Sequence, residues 1–138
     1  MYGWNHMVTR PNPATWVYEK LLRGEAVSMV NDVWENPLYN ISCGHALWAA
    51  IRKRPEGIFH LAGKNRVNRY QFAKEVARTF GLDTTLVKAV SSKDFPGIAP
   101  RPRDTTFVTK RMERELGVKP LTLREGLDAM KAAMSARA

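Results

Sequence analysis

The sequence predicts an α/β fold built as one globular unit, on three observations. Apolar residues recur at helical spacing in four separate segments, each opened by a capping residue or closed by a glycine. Between the helical segments lie short apolar runs of strand length. The clearest is Gly57-Ile58-Phe59-His60-Leu61-Ala62-Gly63, continuous and bounded by glycines, which suits a strand buried on both faces. Finally, 138 residues of which 44% are hydrophobic and 25% charged can bury one ordinary core, and are too apolar for a disordered tail.

Asn12 followed by Pro13 opens the first helix, because Asn accepts a backbone N–H as N-cap and Pro has the dihedral of the first helical position. Trp16, Val17 and Leu21 share a face, and Gly24 ends the helix. Val27 to Asn31 has strand composition, and Asp32 to Pro37 is rich in turn residues. Cys43 to Arg54 reads as a second helix capped by Ser42, with Ala46, Leu47, Ala50 and Ile51 on one side. Asn68 and Gln71 form a capping box ahead of a stripe of Phe72, Ala73, Val76, Ala77 and Phe80, which stops at Gly81. Thr85 to Val90 alternates as a strand does. Three prolines and a glycine make Ser91 to Asp104 a loop, and Thr105 to Val108 a short extended piece. Thr109 to Gly117 is a short helix. Thr122 and Glu125 cap the last helix, whose apolar face is Leu123, Leu127, Met130 and Met134, methionines at core spacing.

The composition excludes several classes. The longest stretch without a formal charge, Asn36 to Ile51, contains Asn, Ser, Gly and His and falls short of the ~20 apolar residues of a bilayer span. Nothing after Met1 has the basic head and apolar run of a secretory signal, so a cytoplasmic protein is expected. Cys43 has no cysteine partner, and with His6, His45 and His60 it does not make a tetrahedral zinc set of the usual spacing. The net charge of +9 is uneven: three Lys/Arg stand against four Asp/Glu in residues 1–50, ten against four in 51–100, and nine against five in 101–138. Arg52, Lys53 and Arg54 close a helix, where cations meet the negative end of the macrodipole. Lys64, Arg66, Arg69, Arg101 and Arg103 fall in or beside loops instead. They suit a phosphate-bearing partner, either nucleic acid or a nucleotide-linked small molecule.

The catalytic patterns that do occur lack context. Tyr70 and Lys74 have the spacing at which a lysine one turn away lowers a phenol pKa for proton transfer, but no serine or threonine is placed to join them and no phosphate loop precedes them. They are read as helix surface. No Gly-x-Gly-x-x-Gly element exists, and the nine glycines fall at element ends. His60, inside an apolar run, reads as a hydrogen-bonded core histidine, and His45 as a neutral residue in the first turn of a helix. Asp32, Glu35, Asp94 and Asp104 are scattered through loops and form no carboxylate pair.

Taken in order, Tyr2-Gly3-Trp4-Asn5, Gly24, Asn31-Asp32-Val33 with Asn36-Pro37, Gly57 to Gly63, Arg69-Tyr70-Gln71-Phe72-Ala73 and Arg101-Pro102-Arg103-Asp104 carry a resemblance that covers essentially the whole chain. It resembles the C-terminal half of extended short-chain dehydrogenases acting on nucleotide-linked sugars, above all the dTDP-4-dehydrorhamnose reductase group. A departure within the matched stretch is Ser42, where relatives tend to carry an Asp that opens the second helix; Ser also caps.

The resemblance implies a residual Rossmann strand and helix plus a mixed α/β substrate-binding lobe, without the dinucleotide-binding part. Residues 1–138 would be a single lobe, with 43–63 at the edge of a Rossmann-type sheet. In that family the glycine-rich loop and the catalytic Ser/Thr, Tyr and Lys precede the Tyr-Gly position. The chain would then carry no catalytic residue and no cofactor of its own, NADP or NAD being implied only for the full-length family. The resemblance also implies contacts to sugar and pyrophosphate from Tyr2, Asn5, Asn12, Trp16, Arg101 and Arg103. Trp16 has core packing as its other reading, and Arg101 a link to loop carbonyls. The expected partner is a nucleotide-sugar, dTDP-linked first, and the exposed apolar area left by the missing half implies pairing with a second copy or with a separately made N-terminal half. The rival readings are a noncatalytic basic or nucleic-acid-binding module, supported by charge alone since no nucleic-acid motif is present, and a truncated product without activity.

Overall fold

In the computed structural model, residues 1–4, 10–95 and 102–136 are described. Helix α1 (Pro13–Leu22) is capped as expected: Asn12 Oδ1 accepts from the Ala14 N–H at 3.0 Å and the Thr15 N–H at 3.2 Å. Its Val17 and Leu21 are buried, whereas Trp16 is 38% exposed. Strand β1 (Val27–Val30) follows, then β2 (Trp34–Glu35) inside the stretch expected to be turn. Helix α3 (Arg69–Phe80) has the full Asn68–Gln71 capping box and ends at Gly81, whose φ of +70° a side chain would resist. Beyond a 3₁₀ turn comes β4 (Val87–Val90), which begins two residues later than the alternation implied. Met112–Leu116 winds as a π-turn closed by Gly117, and α4 (Leu123–Ser135) carries the Thr122–Glu125 box.

The strands make two small sheets. β1 and β4 pair in parallel, Val27 opposite Val87 and Val30 opposite Val90, with the intervening chain as crossover. β2 pairs antiparallel with β3 (Val67–Asn68), Trp34 opposite Asn68. Helix α3 lies at the centre, against α1, α4, β1 and β4. Its Phe72, Ala73, Val76 and Ala77 meet Val17 and Leu21 of α1, Val27, Val87, and Leu127 and Met130 of α4 in one buried cluster. Asn68 is buried too, because its amide caps α3 and also donates to the Asn31 carbonyl at 2.9 Å.

Two expectations need correction. Helix α2 runs Asn40–Lys53, so it starts three residues before Cys43, and Ser42 lies within its first turn. The cap is Tyr39, with no side-chain bond; its backbone is fixed instead by pairing with Tyr2, a contact no local rule encodes. The Gly57–Gly63 run forms no strand within this chain. Ile58 is 78% exposed rather than buried on both faces, and of the α2 face only Ala46 is buried while Leu47 and Ile51 are exposed. A strand is held by the ladder beside it, and among the described residues no backbone group from 59 to 62 is hydrogen-bonded. No helix among the described residues is long and apolar enough to cross a membrane.

Candidate functional site

Residues 31–36 act as a spine on which three other segments dock. The Asn31 N–H donates to the Val90 carbonyl at 3.0 Å, extending the β1–β4 pairing. Next, the Asp32 carboxylate accepts from the Ser92 N–H at 2.9 Å and from the hydroxyls of Ser91 at 2.9 Å and Ser92 at 3.1 Å. These bonds, led by the Ser92 N–H, hold the Asp32 carboxyl below its ordinary range. Then the Trp34 N–H donates to the Arg103 carbonyl at 2.8 Å, and the Thr105 N–H donates back to the Trp34 carbonyl at 3.0 Å. The loop expected from Ser91 to Asp104 is therefore tethered at both ends, at Asp32 and at Trp34.

The second tether is reinforced by side chains. Arg66 lies over the Trp34 ring at 4.0 Å and donates twice to Asp104 Oδ2, from Nε at 3.0 Å and Nη2 at 2.8 Å. Asp104 Oδ1 accepts from the Thr106 hydroxyl at 2.7 Å and the Thr106 N–H at 3.0 Å. The Thr106 bonds first, then Arg66, bring the Asp104 carboxyl down to about 2. Arg103 is exposed one residue away, and Arg69 is exposed beside the Trp34–Asn68 pair. One cation, Arg66, thus covers the tryptophan and is balanced by Asp104, while Arg69 follows Asn68, which pairs with Trp34, and Arg103 is itself part of the Trp34 pairing through its carbonyl. In the sequence Asp32 and Asp104 stand out only as loop carboxylates and as members of the Asn31-Asp32-Val33 and Arg101–Asp104 runs, and Trp34 does not stand out at all. The signal for Trp34 is the turn-rich segment 32–37, which carries a tryptophan between two acids, Asp32 and Glu35.

Four of the six predicted contact residues, Tyr2, Asn12, Trp16 and Arg103, are among the described residues. Tyr2 is 2% exposed, edge-on to Phe72, and its hydroxyl donates to the Leu123 carbonyl at 3.3 Å. Burial, with Tyr39 adding to it, pushes its phenol pKa up. Asn12 spends its amide on α1 and on the Gly3 carbonyl, to which Nδ2 donates at 2.7 Å. That bond joins Asn12 to the Tyr2-Gly3 segment. Trp16 offers its side chain at the surface of α1, and Arg103 stands on β2. Asn5 and Arg101 lie outside the described residues.

Tyr70 and Lys74 line an open groove of about 450 Å³ along α3. Lys74 Nζ donates to the Thr84 carbonyl at 3.0 Å and sits 5.6 Å from the Tyr70 ring centroid, so it braces a turn. A second groove, of about 390 Å³, runs between the start of α2 and α4 and is lined by Tyr39, Ile41, His45, Leu121 and Ala129. It continues into an apolar face of α2, where Ile41, Leu47, Trp48 and Ile51 are all more than half exposed.

Residues 3–136 match the family model described as the RmlD substrate binding domain. The chain is 28% identical over 120 residues to the probable low-salt glycan biosynthesis reductase Agl14 of Haloferax volcanii, covering 87% of this chain and 40% of that protein. With the dTDP-4-keto-6-deoxy-D-glucose reductase of Streptomyces niveus it shares 29% identity over 97 residues, 70% of this chain and 33% of that one. The crystal structure of dTDP-4-dehydrorhamnose reductase from Bacillus anthracis in complex with NADP superposes with a TM-score of 0.78 at 22% identity, over 96% of this chain and 44% of that one. The chain thus spans less than half the length of each of these proteins.

Proposed function

Because the chain belongs to the RmlD substrate binding domain family, we propose that it is the nucleotide-sugar-binding, C-terminal half of an NAD(P)-dependent reductase. On this reading it is not catalytic alone and is completed by a cofactor-binding half packed against α2 and residues 58–62. The observation that carries the reading is the exposed apolar face of α2 followed by an apolar segment whose backbone from 59 to 62 has no ladder. An isolated helix face and an unpaired strand are what a divided sheet leaves behind.

Among the described residues, those beyond β1 and β4 do not fit a dinucleotide. In an open parallel sheet the pyrophosphate binds beyond the carboxyl ends of the strands, on free backbone N–H groups. Beyond β1 and β4 that place is taken by the Asp32 carboxylate, which holds the Ser92 N–H and two hydroxyls. The anion this chain would hold belongs to the substrate. Arg103, with Arg101 two positions before it in sequence, would supply planar donors to the pyrophosphate, Trp34 and Asp104 would fix the segment at Arg103, and Trp16 would offer a ring face. Tyr2 and Asn12 would support the site from behind, their polar atoms being engaged already.

Calorimetric titration of the purified chain with dTDP-, UDP- and GDP-sugars and with NADPH tests this. Expected are weak binding of a sugar nucleotide, a loss of about tenfold for Arg103→Ala, the lower end for an exposed charge-assisted bond, and no oxidation of NADPH with a keto-sugar. Turnover by the chain alone would overturn the reading. Binding that collapses with modest salt and ignores sugar identity would favour a basic polyanion-binding module.

A further inference from the structure

The Gly57–Gly63 run has no strand beside it, yet its first residues are held. Arg111, just before the π-turn, donates from Nη1 to the Ile58 carbonyl at 2.8 Å and from Nη2 to the Glu56 carbonyl at 2.7 Å. Its guanidinium lies 4.0 Å over the Phe59 ring, and Nε donates to the Glu115 carboxylate at 3.1 Å and 3.2 Å. Carbonyls two residues apart on a straight extended chain share an edge but lie too far apart for one planar fork. The turn at Gly57, φ +83°, bends the backbone between them, and a Cβ there would stand 3.6 Å from both Nη atoms. Beyond the clamp, the His60 ring stacks on Phe107 at 4.4 Å.

We propose that Arg111 is a positioning residue whose guanidinium fork fixes the bend at residues 56–58, so that the backbone groups from 59 to 62 leave it on a set course toward the strand that completes the sheet. The purpose rests on the two-half reading above; the clamp itself does not. Four features set it apart from an ordinary surface arginine. Both terminal nitrogens go to main-chain carbonyls of one segment, the third nitrogen has its own carboxylate, the cation covers the neighbouring ring, and the segment has no other backbone restraint from 59 to 62. Ordering the strand in advance removes an entropic cost that would otherwise fall on pairing.

The test is ¹⁵N relaxation on the chain alone, with Arg111→Ala, Arg111→Lys and Glu115→Gln. In the wild type, order parameters at Gly57, Ile58 and Phe59 should be those of rigid backbone, about 0.85, and in Arg111→Ala they should fall below about 0.6 with α3 and α4 unchanged. Lysine, a point cation without the fork, should fail to restore them, whereas Glu115→Gln should retain most of the rigidity. Unchanged order parameters in Arg111→Ala, or full rescue by lysine, would overturn the proposal. Because these measurements use the chain alone, they judge the clamp by itself, while the two-half reading stands or falls separately on the titration and turnover test given above.

Discussion

Gly126→Ala should destabilise the protein, although Gly126 lies within α4 and alanine there would ordinarily help by about 0.5–1 kcal/mol. A Cβ at this position overlaps the Tyr2 hydroxyl and stands 3.1 Å from Tyr2 Cζ and 3.3 Å from Tyr39 Cβ. Tyr2 has nowhere to retreat. Its N–H donates to the Leu38 carbonyl at 3.0 Å, its carbonyl accepts from the Asn40 N–H at 2.9 Å, and its ring abuts Phe72 at 5.4 Å. Overpacking of this kind costs ~1–3 kcal/mol, so it outweighs the helix gain and leaves a net loss of roughly 1–2 kcal/mol. Tyr2→Phe alone removes one long hydrogen bond, 3.3 Å to the Leu123 carbonyl, and should cost about 0.5–1 kcal/mol. In the double variant the overlapping atom is gone, so the two losses should fail to add by about 1 kcal/mol or more. Urea denaturation followed by circular dichroism measures all three. A Gly126→Ala protein at least as stable as wild type, or strict additivity, would refute the packing argument. Tyr2→Phe should also keep sugar-nucleotide affinity within about twofold, as suits a residue whose hydroxyl is turned to α4.

Two further outcomes follow from the site and the exposed face. The Asp104 carboxyl, brought down to about 2 by Thr106 and Arg66, is depressed relative to the unfolded chain. Its stabilising contribution is therefore complete above the unfolded value of ~3.9 and is lost as pH falls through that window; comparing Trp34 indole resonances of wild type and Asp104→Asn from pH 5 to 2 should show the step in the wild type and a flat response in the variant. Leu47→Ser with Ile51→Ser, on the exposed face of α2, should leave unfolding free energy within about 0.5 kcal/mol while abolishing concentration-dependent association in sedimentation experiments. A wild-type chain that remains a 15.7 kDa monomer at all concentrations would remove the basis for that expectation.

What was legible in the sequence was local. Asn12 with Pro13, Asn68 with Gln71 and Thr122 with Glu125 each act within one turn, and all three caps form as read. Helical stripes likewise placed Val17, Phe72, Val76 and Leu127 in the core. The misreadings were long-range. Helix α2 begins at Asn40 because Tyr39 is pinned by Tyr2, 37 positions away in sequence, and no capping residue marks the spot. Asp104 looks like any loop carboxylate in the sequence because its partner Arg66 is 38 residues distant. The apolar run at Gly57 has the composition of a buried strand, but composition reports what a segment can bury and not whether its neighbour is in the same chain.

One strap connects the two surfaces on which the functional reading depends. From Arg103 the chain is bound to Trp34, its Phe107 N–H donates to Asn36 Oδ1 at 2.7 Å, the Phe107 ring stacks on His60, and Arg111 grips Glu56 and Ile58. Residues 103–111 thus run from the Trp34 attachment to the unpaired segment with a contact every few residues, although most of the strap is solvent-exposed and contributes little to the core. Such a segment is held by its attachments, so fixing one end lowers the entropic cost of fixing the other. An anion on the Arg103 loop and a strand along residues 59 to 62 would then favour each other, by the same factor in both directions. On the proposed reading, that reciprocity would give a physical reason for one strap to carry both the Trp34–Arg103 attachment and the Arg111 clamp.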